Sequence, residues 1–340
     1  MRRYPKYKVA AAHVAPVLGD IGQTVDKVCH VIRDASSRGV KLLAFSEAFI
    51  PGYPTWCRVT APIDSHGLFS YLAANAIYVD GPEIDQIRST AAQHDIFVSI
   101  GFSEATSVSV GCIWNSNILI SNTGTVLNHH RKLVPTFAEK LVWANGDGAG
   151  LRVSDTELGK IGMLICGENT NPLARYCLMA QGEQVHISSY PAVVADRTAS
   201  GEPGYDLEEA IRIRAAAHSF EAKAFNIVAS TPYDDTAKAF LAQYLDDTTM
   251  QMLADSPKAV SMVLDPSGKI ISDTLCETEG LCVADIDVSK CVEPKRVHDV
   301  VGYYNRFDVF DLRVNRTRQV PISFTGQSDF DRTISSDNED

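Results

Sequence analysis

Residues 160–172, KIGMLICGENTNP, predict a strand that ends at a cysteine and is followed by a helix. The apolar run 161–165 has the length of one buried strand. Gly167 allows a sharp turn, and Asn171, which precedes a proline, fits a helix N-cap. Cys166 is therefore expected at a strand–turn–helix corner, where a helix dipole would lower its pKa and favour the nucleophilic thiolate. An inert buried cysteine remains the alternative from this segment alone.

Two other predicted strands also end at residues with catalytic chemistry. The apolar run 40–45 leads to Glu47, and the run 125–130 leads to Lys132. In open α/β sheets, functional residues collect beyond the carboxyl ends of the strands. A lone Glu or Lys is usually a solvated surface residue, but three compatible groups at three strand ends indicate a site made of Glu47, Lys132 and Cys166.

Three segments resemble the signature regions of the nitrilase superfamily, and specifically of its nitrilase branch. The similarity extends from about residue 9 to about residue 310. The segments are SEAFIPGYP at 46–54, HRKLVPTFAEKLVWANGDGAGL at 130–151 and CGENTNPLARYCLMAQGEQVHISSYP at 166–191.

The resemblance implies a role for each matching residue. Glu47 corresponds to the general base, Lys132 to the positive group at the tetrahedral centre, and Cys166 to the nucleophile. Glu139 falls on the family's second glutamate, which orients the lysine. The implied reaction hydrolyses a nitrile to a carboxylic acid and ammonia through a covalent cysteine thioimidate and thioester, without a cofactor.

Three further residues are candidates for substrate binding. The backbone N–H of Gly167 follows the nucleophile and is expected to stabilise developing charge. Tyr53 and Tyr190 are adjacent to or within the signature segments, although each also fits an ordinary core aromatic residue. The sequence departs from the family at Ser46, where many members have Pro, and at Gly167, where many have Trp. Both departures concern pocket shape more than reaction type.

The alternation of predicted strands and helices indicates an α/β fold with mixed sheets. The resemblance implies the family's α-β-β-α sandwich. Because no linker or composition shift divides the chain, we predict one hydrolase domain over residues 1–325 and an acidic, disordered tail over 326–340. Segments 56–78 and 232–255 interrupt the alternation and are expected to be surface loops with short helices; the resemblance implies roles in pocket rims and contacts between dimers.

Composition excludes several functions. The net charge of −11 argues against nucleic acid and anionic membranes as partners. No apolar run approaches the roughly 20 residues that span a bilayer. The eight cysteines form no C-x-x-C pair, which predicts reduced thiols and a cytoplasmic location. The histidines lack metal-ligand spacing, so we predict no metal, and His186, within an apolar strand, is expected to be a core histidine.

Other functions remain open from the sequence. An amidase or a cyanide-hydrolysing or cyanide-hydrating enzyme of the same superfamily is the main alternative to a nitrilase. A non-catalytic, filament-forming scaffold is a remote one. The resemblance also implies a homo-oligomer built from dimers, with a helical filament among its forms, and it leaves the choice of aliphatic, aryl or arylaliphatic nitrile undetermined.

Overall fold

The structure is a computed structural model, and it describes residues 4–195, 200 and 204–322. The predicted tail at 326–340 lies outside the described residues, and the domain boundary at 325 stays a prediction. No helix in the described part combines the length and apolar character needed to cross a membrane.

The first sheet is mixed and contains six strands in the order β11-β1-β2-β3-β4-β5. β1, β2 and β3 are parallel, whereas β11, β4 and β5 join by antiparallel pairing. The neighbouring strands β4 and β5 form a hairpin. The bounds are β1 Lys6–His13, β2 Val40–Ala44, β3 Phe97–Glu104, β4 Trp114–Ile120, β5 Val126–Arg131 and β11 Gly280–Asp287.

The second sheet has five strands in the order β10-β9-β8-β7-β6. Its three central strands are parallel, and β6 and β10 pair antiparallel at the edges. The bounds are β6 Ser154–Thr156, β7 Gly159–Ile165, β8 Val185–Ser189, β9 Phe225–Ala229 and β10 Met262–Leu264. Beyond β10, the chain adds isolated bridges to this edge, such as that of Ile270 with Leu264.

Seven α-helices complete the described fold. They are α1 Ile21–Ser37, α2 His66–Ala74, α3 Pro82–Gln93, α4 Pro172–Met179, α5 Leu207–Ala222, α6 Asp235–Leu241 and α7 Asp247–Asp255. α1 and α3 cover the outer face of the first sheet, and α4 and α5 cover that of the second.

The core confirms the α-β-β-α sandwich. Side chains alternate across β1, so Val9 and Ala11 pack against the second sheet while Ala10 and Ala12 face the first helix layer. Between the sheets, residues of β7, β8 and β9 meet those of β1 and β2 in one buried cluster. The central strands are buried on both faces, because the other sheet covers their inner face and helices cover their outer face. This explains their near-continuous apolar character.

The segments 56–78 and 232–255 pack against each other rather than forming separate surface loops. The short helices α2, α6 and α7 place their apolar side chains in one shared cluster. Its buried members include Trp56, Leu68, Leu72, Tyr233, Leu241 and Leu253. The cluster also includes Trp143, which lies after Glu139 in the second signature segment. The expected roles of both segments in contacts between dimers stay predictions.

Gly101 on β3 permits a close approach between two backbone segments. A Cβ at this position would lie 2.5 Å from the carbonyl oxygen of Ser46 and 2.6 Å from the backbone nitrogen of Ala48. We predict that Gly101→Ala displaces the loop that carries Glu47 and lowers the free energy of unfolding by about 1–3 kcal/mol, as overpacking does. Denaturant unfolding measures the change.

Gly67→Ala is the matched control. Gly67 lies in α2, and a Cβ there would meet no atom within 4 Å. Replacing a helical glycine removes backbone entropy from the unfolded chain, so stability should rise by up to about 1 kcal/mol. Equal stability changes of the same sign in both variants would contradict the close-approach argument.

Candidate active site

The predicted catalytic residues come from strand ends in both sheets. Glu47 follows β2 and Lys132 follows β5 in the first sheet, whereas Cys166 follows β7 in the second. Packing of the two sheets brings these ends together. All three side chains are buried, with Glu47 and Lys132 each 1% exposed. The structure therefore unites the residues that the sequence placed at separate strand ends.

The ammonium group of Lys132 is held between two carboxylates. Nζ lies 2.7 Å from Oε1 of Glu47 and 2.6 Å from Oε2 of Glu139. Burial alone would lower the pKa of Lys132, but the two carboxylates raise it well above its usual value. The lysine is thus a fixed positive charge in the site.

The two carboxylate oxygens of Glu47 differ in their contacts. Oε1 accepts hydrogen bonds from Lys132 and from Nδ2 of Asn115 at 2.7 Å, whereas Oε2 is buried and has no hydrogen-bond partner among the described residues. Burial raises the pKa of Glu47 to about 7, since the opposing effect of Lys132 is smaller and Glu139 adds to the increase. A carboxylate with such a pKa is suited to accept and return protons near neutral pH. No local sequence pattern marks Asn115.

Glu139 is positioned by three donors. In addition to Lys132, the backbone N–H of Thr136 donates to Oε2 at 2.8 Å, and the hydroxyl of Tyr53 donates to Oε1 at 2.7 Å. These contacts fit the orienting role that the resemblance implies for Glu139. Tyr53, which is a candidate for substrate binding, uses its hydroxyl to support this carboxylate.

Cys166 itself adopts the left-handed backbone conformation, with φ of 49°. We expected Gly167 to provide the turn, but the positive φ belongs to Cys166, so the strand–helix corner is tighter than the sequence indicated. The expected decrease in thiol pKa is also wrong. Burial raises the pKa of Cys166, the negative charge of Glu47 adds to this, and Lys132 opposes it. The resting group is therefore a thiol that needs a base.

Glu168, which the sequence analysis did not identify, connects the turn at Cys166 to the loop after β5 through hydrogen bonds. Its carboxylate accepts from the backbone N–H groups of Leu133 at 2.6 Å and Ile165 at 2.9 Å, and from Nε2 of His130 at 2.8 Å. Burial would raise its pKa, but His130 and the two backbone donors lower it. This buried anion thus ties the segment of Lys132 to that of Cys166.

Asn169 also stabilises the turn at Cys166, through hydrogen bonds to the backbone. Its Nδ2 donates to the carbonyl oxygens of Leu164 at 3.3 Å and Cys166 at 3.0 Å. Because carbonyl oxygens only accept, this fixes the orientation of the amide and leaves Oδ1 facing His186. Nε2 of His186 donates to this oxygen at 2.9 Å.

A buried carboxylate continues the network behind His186. Oε1 and Oε2 of Glu183 lie 2.7 Å from Nδ1 of His186 and Nε2 of His218, respectively. Burial would raise the pKa of Glu183, but the two imidazoles lower it to about 2, so it accepts from both. Both ring nitrogens of His186 therefore face oxygen atoms, Oε1 of Glu183 and Oδ1 of Asn169. Burial and His186 lower the pKa of His218 to about 4, which leaves it neutral.

Glu183, His186 and His218 are also residue types that bind metals, and their donor atoms lie within 4.8 Å of one another. Both carboxylate oxygens already accept hydrogen bonds from the imidazoles. The prediction of a core role for His186 is confirmed. The prediction that the chain binds no metal stays untested.

A cavity of about 450 Å³ opens above Cys166 and Gly167. Its walls come from the loop after β5, the turn at Cys166, α5 and segment 56–78. The polar and charged side chains of these walls include Arg58, Thr136, Glu139, Lys140 and Arg214. Gly167 lies in this lining, and its role in substrate binding stays a prediction. Tyr190 is fully buried and, like Tyr53, is absent from the described lining, so a direct role for either in substrate binding stays a prediction.

The network behind the nucleophile yields a prediction. Glu183→Gln keeps the shape of the side chain but removes the negative charge that His186 and His218 contact, so Asn169 should hold the Cys166 carbonyl less firmly. We expect the rate of Cys166 alkylation by iodoacetamide and the catalytic rate to fall about tenfold or more, while the fold persists.

Glu104→Gln is the control for that variant. Glu104 is another buried carboxylate whose pKa is lowered to about 2, although burial opposes this, and it binds Ser116, His129 and Arg131. Both variants should lose stability, because each breaks a buried ion pair. A similar loss of Cys166 reactivity in both would show that Glu183 acts through stability alone.

Comparison with known proteins identifies the family. The sequence matches the carbon–nitrogen hydrolase family over residues 8–296. It is 31% identical over 323 residues to a nitrilase of Paraburkholderia phymatum, covering 93% of this chain and 88% of the relative. It is 32% identical over 334 residues to a cyanide hydratase of Gibberella zeae, covering 94% and 89%.

A solved structure supports the fold independently. The chain superposes on a carbon–nitrogen hydrolase of Helicobacter pylori with a TM-score of 0.71 at 16% identity, covering 89% of this chain and 97% of that one. The resemblance to the nitrilase superfamily and the predicted sandwich are confirmed, and the chain belongs to the carbon–nitrogen hydrolase family.

Proposed function

We propose that the protein is a nitrilase that converts a nitrile to the carboxylic acid and ammonia. The observation that carries the proposal is the free, buried Oε2 of Glu47, part of a Lys132-bridged pair of carboxylates that acts electrostatically on Cys166. Nitrilase relatives that match nearly the whole chain support it.

The first half of the reaction forms a covalent intermediate. Glu47 takes the thiol proton, the sulfur of Cys166 adds to the nitrile carbon, and the nitrogen receives the proton, which gives a thioimidate. Because burial raises the pKa of the thiol, proton removal must accompany the attack. A nitrile has no leaving group, so this step is an addition.

The second half consumes two water molecules. Glu47 activates the first, which adds to the thioimidate carbon, and the protonated nitrogen leaves as ammonia to give a thioester. The second water releases the carboxylic acid and restores the thiol. Lys132 and the backbone N–H of Gly167 stabilise the charge that develops on oxygen, and Glu139 keeps Lys132 in place.

Cyanide hydration is the second candidate, favoured by the cyanide hydratase relatives at 32–33% identity. The two reactions separate at the tetrahedral species, which carries nitrogen, oxygen and sulfur on one carbon. Loss of ammonia leads to the acid, whereas loss of the thiolate releases an amide. Glu47 is the group that would protonate nitrogen, which favours the acid.

A panel of plain nitriles, amides and cyanide tests the function. We expect ammonia and the carboxylic acid in equal amounts from a plain nitrile, measured by colorimetry and chromatography, with amide as a minor product. Amide as the main product would indicate a hydrating enzyme, and activity confined to amides would indicate an amidase. No acid, amide or ammonia from any compound would favour the scaffold alternative.

Cys166→Ala and Cys166→Ser are the matched controls for the panel. Both should lose turnover by a factor of about 10³ or more, since no other group supplies the nucleophile. Acid quenching of the wild-type reaction should leave a mass adduct on the peptide that carries Cys166. An adduct elsewhere would refute the assignment.

The acidic side of the pH profile should report Glu47. Because the base must be ionised, kcat/KM should fall as the pH decreases below about 7, by about tenfold per pH unit well below that value. Glu139→Gln removes a charge that raises the pKa of Glu47, so the midpoint should move to lower pH, with less loss of rate than Glu47→Gln causes. An unchanged midpoint in Glu139→Gln would contradict this coupling.

We also propose a cytoplasmic homo-oligomer larger than a dimer. Reduced, unpaired cysteines among the described residues are compatible with the location. Large apolar side chains are exposed on α5 and in the segment after β11, including Ile213, Phe220, Tyr303, Phe307 and Phe310. Light scattering should give a mass above twice 37.1 kDa, and a fully active monomer would refute the proposal.

A further inference from the structure

The cavity above Cys166 has a cationic wall. Arg58, Lys140 and Arg214 line it, and none of the three forms an ion pair with an acidic residue in the described part of the chain. This contrasts with the net charge of the whole chain, −11. Unpaired cations gathered in one cavity of an acidic protein indicate a ligand of opposite charge.

The acidic residues in the same lining do not offset these cations. Glu139 is bound by Lys132 at 2.6 Å, and Glu168 is bound by His130 at 2.8 Å and by two backbone N–H groups. Both carboxylates are almost fully buried. Within the described lining, neither carboxylate forms an ion pair with Arg58, Lys140 or Arg214.

Arg58 offers a planar pair of donors to a ligand. Its Nε donates to the carbonyl oxygen of Ala195 at 3.4 Å, and its guanidinium lies 5.5 Å from the ring centroid of Phe137. These contacts orient the planar group, yet its two terminal nitrogens have no hydrogen-bond partner among the described residues. Two parallel N–H donors match the two oxygens of a carboxylate.

Arg214 contributes charge rather than a free donor pair. Its Nε donates to Thr170 at 2.8 Å, its Nη2 donates to the hydroxyl of Tyr205, and its Nη1 is buried. Burial dominates the pKa of Cys166, but the charge of Arg214 is close enough to act on that group. Arg214 therefore adds positive potential near the nucleophile.

From this wall we infer that the substrate is a nitrile that also carries a carboxylate, which Arg58 binds while the nitrile carbon reaches Cys166. The inference rests on the proposed nitrilase function and adds the class of substrate. Because Arg58 and Cys166 line one cavity of about 450 Å³, the spacer between nitrile and carboxylate must be short.

The test compares two nitriles of matched length, 4-cyanobutanoate and 5-hydroxypentanenitrile, which differ in the terminal carboxylate or hydroxymethyl group. We expect the wild type to show a kcat/KM at least about tenfold higher for the anion, because a charged, bidentate contact is lost with the alcohol. Raising the ionic strength should reduce this ratio, mainly through KM.

Variants of Arg58 locate the effect. Arg58→Gln should reduce the anion-to-neutral ratio by about tenfold, and Arg58→Lys should retain part of it because the charge remains but the fork is lost. Arg38→Gln is the control: Arg38 is an exposed arginine at the C-terminal end of α1, paired with Asp34, and its loss should not change the ratio. Arg214→Gln should lower the ratio less than Arg58→Gln.

Two results would overturn the inference. One is an anion-to-neutral ratio of kcat/KM near one in the wild type. The other is an equal loss of kcat/KM for both nitriles in Arg58→Gln, which would indicate a structural role for Arg58. Either leaves the proposed function standing as long as the neutral nitrile yields acid and ammonia. Failure of the wild type on the whole panel of nitriles would instead refute the proposed function.

Discussion

The site depends on the buried ammonium of Lys132 between Glu47 and Glu139. Removing three charges from water is costly unless each has a partner, and here one cation serves two carboxylates. The group is left with one net negative charge, and this excess together with burial raises the pKa of Glu47 to about 7. The same arrangement thus holds the residues together and creates the base.

The nucleophile is held by a second set of buried polar contacts. Cys166 occupies a left-handed backbone conformation that a non-glycine residue adopts only when its surroundings enforce it. Glu168 and Asn169 bind the backbone on either side of the turn, and the ion pair of Glu183 with His186 fixes the amide of Asn169. The cost of the strained residue is offset by this network.

The proposed catalytic groups and the proposed substrate-binding groups lie in one cavity but carry opposite charges. The floor at Glu47 and Glu139 is negative, whereas Arg58 and Arg214 make the wall positive. Glu47 can therefore keep an elevated pKa while the wall attracts an anion. The low dielectric at the buried floor strengthens its interactions, and the more open wall remains able to exchange ligands with water.

The sequence determined the strand and helix alternation, the strand ends at Glu47, Lys132 and Cys166, and the family, because side-chain periodicity and turn residues act locally. The tertiary structure decided what depends on burial and distant partners. It brought strand ends from two sheets together, reversed the expected direction of the Cys166 pKa, and turned Tyr53 toward Glu139. Such effects follow from desolvation and from contacts between residues far apart in the chain, which no local pattern encodes.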